Sequence, residues 1–320
     1  MGPLVSYIVP CYNYGRYIEQ CLRSILQQTY SNIEIVVIND GSTDNSEKII
    51  LQLATLDSRI RYFTQENRGL LPTKNRGVSE SKGIYFSFVD ADDYVPAERT
   101  QKMVEVFEKD KDVVFVYGDA CVVDEKGKPI KNFFEVYPPV NGEFSVEMFA
   151  HYCFVDFSAS MFRRSAFDKT GPFWSLAPRG ESQDYLKMME VGLEGRVVCL
   201  RNTVTAFYRR HGENVTEGQI EKKVERYACL QKSLEEFIRR HPGLEQKIGE
   251  KRVLWRYARC HFMGGFYAGL AKRWDLARKE YARAFRLYPS FVNALAWISA
   301  GRGVAFLGYP LYRLVARRLY

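Results

Sequence analysis

Histidine is scarce in this chain, at four residues in 320, and none of its seven cysteines (Cys11, Cys21, Cys121, Cys153, Cys199, Cys229 and Cys260) forms a C-x-x-C pair. An odd, scattered set argues against a zinc site and against a disulfide framework, and a reducing, cytoplasmic setting is expected. The opening "MGPLVSYIVP" has neither a basic stretch nor a long apolar one, so no secretory signal is expected. The tail, residues 291–320, is largely apolar but broken by Gly301, Arg302, Gly303 and Pro310. A spanning helix needs about 20 apolar residues, so the tail is a poor candidate for one. Disorder-type composition is also missing, since 46% of the residues are hydrophobic and 14% aromatic. Such a chain buries a sizeable core in one large or two modest domains.

Charge is unevenly spread. Residues 218–320 hold 21 Lys/Arg against 8 Asp/Glu, or +13, which leaves −5 for residues 1–217 of the total of +8. A basic tail of this kind suggests an anionic partner, either a membrane surface or nucleic acid. No RNA-binding sheet signature, zinc spacing or helix-turn-helix pattern is present, so no nucleic-acid partner is expected.

Along the first hundred residues, short apolar runs alternate with helical periods. "LVSYIVPCYN" reads as a strand, and Ile18, Cys21, Leu22 and Ile25 then follow at i, i+3, i+4 and i+7. "IEIVVIND" is a second strand, and a helix over 47–56 follows, with Ser46 or Asp44 as its cap. "IRYFTQ" and "GIYFSFVD" are strands on either side of a helix in "LPTKNRGVSESK". Strands that are apolar throughout and separated by helices predict an α/β fold, with a parallel sheet covered on both faces. Ligands of such sheets collect at the carboxyl ends of the strands. Here those ends carry Tyr12–Asn13, Asp40–Gly41, Asn67 and Asp90–Asp93.

"YFSFVDADDYV" runs a buried strand into Asp90, Asp92 and Asp93. Carboxylates this close repel, and burial disfavours each one further. A cation, or a ligand carrying one, would remove the conflict; a solvated turn is the plain alternative. The middle of the chain mixes strands ("VVFVYGDACVVD", "RVVCLRN", "VTAFYRR") with helical pieces, and after "HGENVTEG" the pattern is helical. "GLAKRWDLARKEYARAFRLYPS" is similar to one tetratricopeptide-like hairpin, with Leu276, Ala277, Tyr281, Ala284 and Leu287 at helical spacing and Pro289 as the stop.

Taken in order, "VSYIVPCYNYGRYIEQCLRSILQQTYSNIEIVVINDGSTDNS" and "ENRGLLPTKNRGVSESKGIYFSFVDADD" resemble the inverting family 2 glycosyltransferases of the GT-A fold, over residues 4–215. The resemblance implies a Rossmann-like, mostly parallel central sheet flanked by helices, here with a C-terminal helical extension. It divides the chain into a nucleotide-sugar-binding half (1–105), an acceptor-binding and catalytic half (106–217) and a basic helical extension (218–320). It places Pro10, Tyr12, Asn13, Asp40, Asp44, Asn67, Lys74, Asn75, Asp90, Ala91, Asp92 and Asp93 around a nucleotide sugar. Tyr12 would stack on a uracil-like ring and Asp40 would accept its N3–H. Asp44 would contact base or ribose, or cap a helix. Lys74 stands where the family usually has Arg, so a bidentate contact becomes a point charge. In the family the D-x-D binds ribose and metal, which implies Asp90 toward ribose and, with Asp92, in the site of Mn²⁺ or Mg²⁺, while Asp93 orients the sugar or the ion's waters.

The same resemblance selects the base. "GESQDYLKMMEVGLEG" gives Gln183–Asp184 at the start of a helix, with Gly195 eleven positions on and "FYRRHGENVT" beyond, which favours Asp184 over Glu181. Glu190 replaces the Arg usual one turn later. His211 would be a further metal ligand or an ordinary histidine. The implied activity transfers a sugar from a nucleotide donor, a UDP- or dTDP-sugar by preference, to a saccharide or lipid-linked saccharide acceptor in polysaccharide, glycolipid or glycoconjugate assembly. A catalytically silent relative that only binds sugar nucleotides is the alternative. The tail, with Trp297, Tyr309 and Tyr312 beside Arg313, Arg317 and Arg318, suits either a peripheral position on an anionic membrane or packing against the protein.

Overall fold

A computed structural model describes residues 2–177, 182–212, 214 and 220–300. In chain order the elements are β1 (Val5–Cys11), α1 (Ile18–Leu26), β2 (Ile33–Asn39), α2 (Ser46–Leu56), β3 (Ile60–Thr64), α3 (Leu70–Glu80), β4 (Tyr85–Phe88) and α4 (Arg99–Lys109). They continue with β5 (Val113–Val123), β6 (Pro129–Asn132), α5 (Phe133–Val136), α6 (Phe144–Ala150), β7 (Ser160–Arg163), α7 (Arg164–Lys169), α8 (Gln183–Leu193) and β8 (Arg196–Arg209). The last are α9 (Ile220–Arg240), α10 (Leu244–Ile248), α11 (Glu250–Leu270), α12 (Trp274–Leu287) and α13 (Phe291–Ala300). Glu181, Gly301, Arg302, Gly303, Tyr309, Pro310, Tyr312, Arg313, Arg317 and Arg318 lie outside the described residues.

The chain divides into two compact units. The first comprises the described residues of Met1–Met148, Cys153–Trp174 and Gln183–His211. Its sheet runs β3-β2-β1-β4-β7-β5-β6, with β8 paired to β5. The strands β1 to β4 pair in parallel, as their unbroken apolar runs require, whereas β7 is antiparallel to both β4 and β5. Every residue of β1 and β2 is buried. The predicted face of α1, Ile18, Cys21, Leu22 and Ile25, is buried against this sheet's core. "RVVCLRN" and "VTAFYRR", two strands by sequence, are one 14-residue strand, β8. Its register against β5 slips around Gly118–Asp119, where a bulge absorbs the polar Arg201–Asn202 interruption. Gly118 lets β8 approach there, since a Cβ on it would lie 2.5 Å from the Thr205 methyl.

An isolated bridge ties the Asp-rich loop to β8. Tyr94 and Phe207 exchange backbone hydrogen bonds, and their rings stack 4.5 Å apart. This bridge brings the end of β4 beside Arg209 and His211.

The second unit comprises the described residues of Phe149–Tyr152, Ser175–Ser182 and Gly212–Tyr320, and its elements from α9 onward are helical. Ala258, Phe262, Ala277, Tyr281, Ala284, Val292 and Ala296 form its core, so the hairpin positions read from sequence are the packed ones. The turn between α11 and α12 is made at Lys272, in the left-handed region with φ 59. Inside the hairpin, His261 Nδ1 meets the Glu280 carboxylate at 2.6 Å. On α13, Leu295, Trp297 and Ile298 are exposed. Among the described residues no helix is long and apolar enough to cross a membrane.

Candidate active site

Three strand ends build one rim. Past β1, Asn13 adopts φ 59 and its side-chain oxygen accepts the Thr43 N–H at 2.8 Å, which fastens the 12–15 loop to the 42–44 turn. Asp44 completes the clamp: Oδ2 accepts the Gly15 N–H at 2.8 Å and Oδ1 the Ser46 N–H at 2.9 Å. Burial would push the Asp44 carboxyl up, but these hydrogen bonds hold it below its ordinary range. Asp44 therefore clamps the two loops within the protein; the cap position of α2 is Asn45, which makes no side-chain capping bond, rather than the expected Ser46 or Asp44. Tyr12, beyond the end of β1, exposes 44% of its surface, whereas Pro10 stays inside β1 opposite Ile38.

Past β2, Asp40 is buried and accepts three hydrogen bonds. Gln65 Nε2 (2.7 Å) and the Arg68 N–H (2.9 Å) reach Oδ1, and the Gly69 N–H (2.9 Å) reaches Oδ2. One lone pair on Oδ2 is left for a further donor. The segment so held carries Asn67, whose side chain is exposed.

Past β4, the Asp-rich loop is sorted by its neighbours. Ala91 and Asp93 are buried. Asp93 accepts the Ser158 hydroxyl and the Arg209 N–H, both at 2.9 Å, so both its oxygens are engaged within the protein. Arg209 also donates to the Asp92 carbonyl at 2.9 Å and to Gln20 Oε1 at 2.6 Å, which fixes the loop's path. Asp92 Oδ2 is hydrogen-bonded to His211 Nε2 at 2.9 Å. Burial first, and then the neighbouring Asp90 carboxylate, raise the Asp92 carboxyl above its usual range, while His211 opposes them. Burial and the Asp92, Asp156 and Asp90 carboxylates push Asp93 up much further. Asp90 is the open member, with 42% of its side chain accessible.

Asp156 is a site residue that no motif announced. It caps the Phe157–Ala159 turn, accepting the Ala159 N–H, and burial together with Asp90 pushes it up to about 7. An "F-V-D-F-S" stretch carries no recognisable pattern, and only the fold brings it into this carboxylate group.

The opposite wall is α8. Ser182, just before it, adopts φ 68, an uncommon conformation for a residue other than glycine. Gln183 is buried, and among the described residues neither its carbonyl oxygen nor its amide nitrogen has a hydrogen-bond partner. Asp184 Oδ1 accepts a hydrogen bond from Lys74 Nζ at 2.7 Å. Burial raises the Asp184 carboxyl; Lys74 pulls it back down and Asp90 pushes it further up. Lys74 and Asn75 both make hydrogen bonds within the fold. Asn75 accepts the Phe173 N–H at 2.8 Å and donates to the Phe173 carbonyl at 3.3 Å. Glu190, in place of an arginine, accepts the Trp174 indole N–H at 2.6 Å and pairs with the buried Lys187 at 3.0 Å. Lys187 also donates to the Gly171 carbonyl at 2.8 Å, so the 170–174 loop is pinned to α8.

The donor set was tested for a divalent cation. Among the described residues no three His, Cys, Asp or Glu side chains already converge as a metal centre. Asp92 and His211 do converge, and the crowding of Asp90, Asp92, Asp93 and Asp156 favours added positive charge. One or two protein ligands completed by substrate phosphates is the usual arrangement for ions of the Mg²⁺ class, so these residues fit such an ion.

Three comparisons bear on what this geometry belongs to. The S. aureus TarS 1–349 structure in complex with UDP is similar over 100% of this chain and 92% of its own, with TM-score 0.64 and 18% identity. The mannosyltransferase PcManGT from Pyrobaculum calidifontis, in complex with GDP-Man and Mn²⁺, is similar over 99% of this chain and 85% of its own, with TM-score 0.61 and 18% identity. At such identities these neighbours establish the GT-A fold. In sequence, the glycosyltransferase GlyG of Streptococcus pneumoniae serotype 4 is 46% identical over 116 residues, 36% of this chain and 38% of GlyG. The chain therefore spans well under half of that relative's length. The family model "Glycosyl transferase family 2" matches residues 6–171, just over half of the chain and the span from within β1 to past α7, and the chain belongs to that family.

Proposed function

We propose that the chain is a metal-dependent, inverting glycosyltransferase that moves a sugar from a nucleotide-sugar donor to an acceptor hydroxyl in polysaccharide, glycolipid or glycoconjugate assembly. One observation carries the reading: the fully buried Lys74 ammonium lies 2.7 Å from Asp184 and 4.0 Å from Asp90. The proposed base on one wall and the Asp-rich loop on the other are therefore brought together at one ammonium.

Tyr12 offers its open face to the base of a UDP- or dTDP-sugar, and the spare lone pair of Asp40 accepts from the base edge. Asp90 faces the ribose. Asp92 and His211 would hold Mn²⁺ or Mg²⁺, whose charge offsets that of a departing diphosphate. Asp184 takes the proton of the acceptor hydroxyl, whose oxygen bonds to the anomeric carbon on the face opposite the leaving group, so configuration inverts. The bond from that carbon to the phosphate oxygen breaks, and its electron pair leaves with the nucleoside diphosphate. The chain's similarity to structures in complex with UDP and with GDP-Man and Mn²⁺ supports a nucleotide-sugar donor and a divalent ion.

The test is nucleotide release from UDP-GlcNAc, UDP-glucose, UDP-galactose, dTDP-glucose and GDP-mannose, with Mn²⁺, with Mg²⁺ and with chelator, for the unmodified chain and Asp184→Ala. Metal-dependent release from one donor that the substitution abolishes supports the reading. Nucleotide binding without release favours the silent relative, and absence of any binding refutes both. For the acceptor's location, an anionic membrane surface is supported by the exposed Leu295, Trp297 and Ile298 of α13. Failure to co-sediment with phosphatidylglycerol vesicles at physiological salt would count against it.

A further inference from the structure

We propose that Lys74 is a positioning residue for the base: it grips Asp184 by one oxygen and so presents the other to the acceptor. The inference rests on Asp184 being the base, as proposed above.

The Lys74 side chain has no exposure at all, and a buried ammonium must be paired. Its position is set from behind by two aromatic faces, with Nζ 4.6 Å from the Phe157 ring centroid and 5.7 Å from that of Phe88. What remains is a direction toward carboxylates. Asp184 Oδ1 takes the hydrogen bond at 2.7 Å, Asp90 Oδ1 stands at 4.0 Å, and Asp156 is the third carboxylate whose field reaches the ammonium. Asp184 Oδ2 accepts no hydrogen bond from the described residues. The carboxylate is thus held at one end and open at the other.

For this carboxylate, at the first turn of a helix and behind a residue with φ 68, Lys74 is the one side chain among the described residues that hydrogen-bonds it and so fixes its rotation. Lysine suits this task better than the arginine usual at this place. A slot between two phenylalanine rings that ends on one oxygen admits a point charge, while a guanidinium fork needs two acceptors in its plane. In the transfer the acceptor's proton moves to Oδ2, the acceptor oxygen bonds to the anomeric carbon, and the pair of the broken carbon–oxygen bond leaves with the nucleoside diphosphate. Lys74 keeps its three protons throughout. Its second contact, to Asp90, registers the base to the donor side.

Misplacing a reacting group by about 1 Å costs about a hundredfold in rate. The expected result for Lys74→Met is therefore a fall in kcat of about that size, with nucleotide affinity kept. Release is followed from UDP-GlcNAc, UDP-glucose, UDP-galactose and GDP-mannose with water as acceptor, and binding of UDP and GDP is measured by calorimetry. Lys74→Arg should lie between the two, recovering part of kcat. If Lys74→Met does not fold, Lys74→Arg decides alone: reduced kcat with unchanged nucleotide affinity supports the role. Lost nucleotide affinity with kcat intact would make Lys74 a donor ligand and overturn the proposal. Unchanged behaviour in both respects would make the pair structural and overturn it too. Wild-type kcat in Asp184→Asn sinks the base assignment instead, and no release from any of the four donors by the unmodified chain removes both.

Discussion

Asp92 and His211 are 119 positions apart in the chain, and their Oδ2 and Nε2 atoms meet at 2.9 Å. The imidazole is held by Tyr17, tilted over it at 4.9 Å, and by Tyr14, edge-on at 6.4 Å, so the pair is preorganised rather than assembled by a ligand. If these two groups hold the cation, His211→Ala should weaken Mn²⁺ binding in the presence of UDP by about 10–100-fold, the range for lost support of a metal site. Calorimetry of Mn²⁺ into protein saturated with UDP reads this directly. An unchanged Mn²⁺ affinity would leave His211 a packing residue just past β8.

Tyr12 differs from its neighbours Tyr14 and Tyr17, whose rings are taken up by His211. Its face is open, and base–aromatic stacking is worth about 1–3 kcal/mol. Tyr12→Ala should lose about that much UDP affinity, and Tyr12→Phe should lose little. Equal affinities for all three proteins would remove Tyr12 from the nucleotide site.

The strands and first helix of the first hundred residues were legible because their signals are local. A seven-residue apolar run is a buried strand, and Ile18, Cys21, Leu22 and Ile25 can share a face only in a helix. The rim residues Tyr12, Asp40 and Asp90 followed from strand ends alone. Partnerships made across the fold were not legible. Nothing near Lys74 in sequence points to Asp184, 110 positions away, and nothing near Asp93 points to Ser158 or Arg209. The four-residue strand β7 was hidden because two aromatic neighbours and an antiparallel slot define it, not a pattern of its own. Asp156 was hidden for the same reason.

Crowded carboxylates make a pH prediction. Asp156 is pushed up to about 7 by burial and by Asp90, and Asp92, Asp93 and Asp184 are also raised. A raised acid binds more protons folded than unfolded, so its contribution is full below the ordinary carboxylate range and is lost as pH rises through the folded value. Stability of the metal-free protein should therefore fall from about pH 4 to about pH 7 through this group. Asp156→Asn should melt above the unmodified chain at pH 8 by several degrees and close to it at pH 4. Mn²⁺ should raise the melting temperature more at pH 7.5 than at pH 5. Melting curves of the two proteins that stay parallel across this range would show that Asp156 is ionised at no cost.

The seat of α3 on β1 decides where Lys74 stands, and Gly77 makes that seat. A Cβ at Gly77 would lie 2.3 Å from Ile8 Cγ2, and Ile8 is a wholly buried residue of β1. Gly77→Ala must therefore lift the helix or force Ile8 from its rotamer, at a cost of about 1–3 kcal/mol. Lifting moves Lys74 away from Asp184 and Asn75 away from Phe173, so turnover should fall more steeply than stability. Ile8→Val removes only the terminal methyl of Ile8 and leaves Cγ2, so it should not relieve the clash, whereas Ile8→Ala removes Cγ2 and should. The Gly77→Ala/Ile8→Ala double variant should accordingly recover nucleotide release relative to Gly77→Ala alone, even though Ile8→Ala by itself destabilises by about 2–5 kcal/mol. Urea unfolding alongside the release assay separates the two effects. Equal loss of activity in the single and double variants would mean that helix placement on β1 does not govern the site.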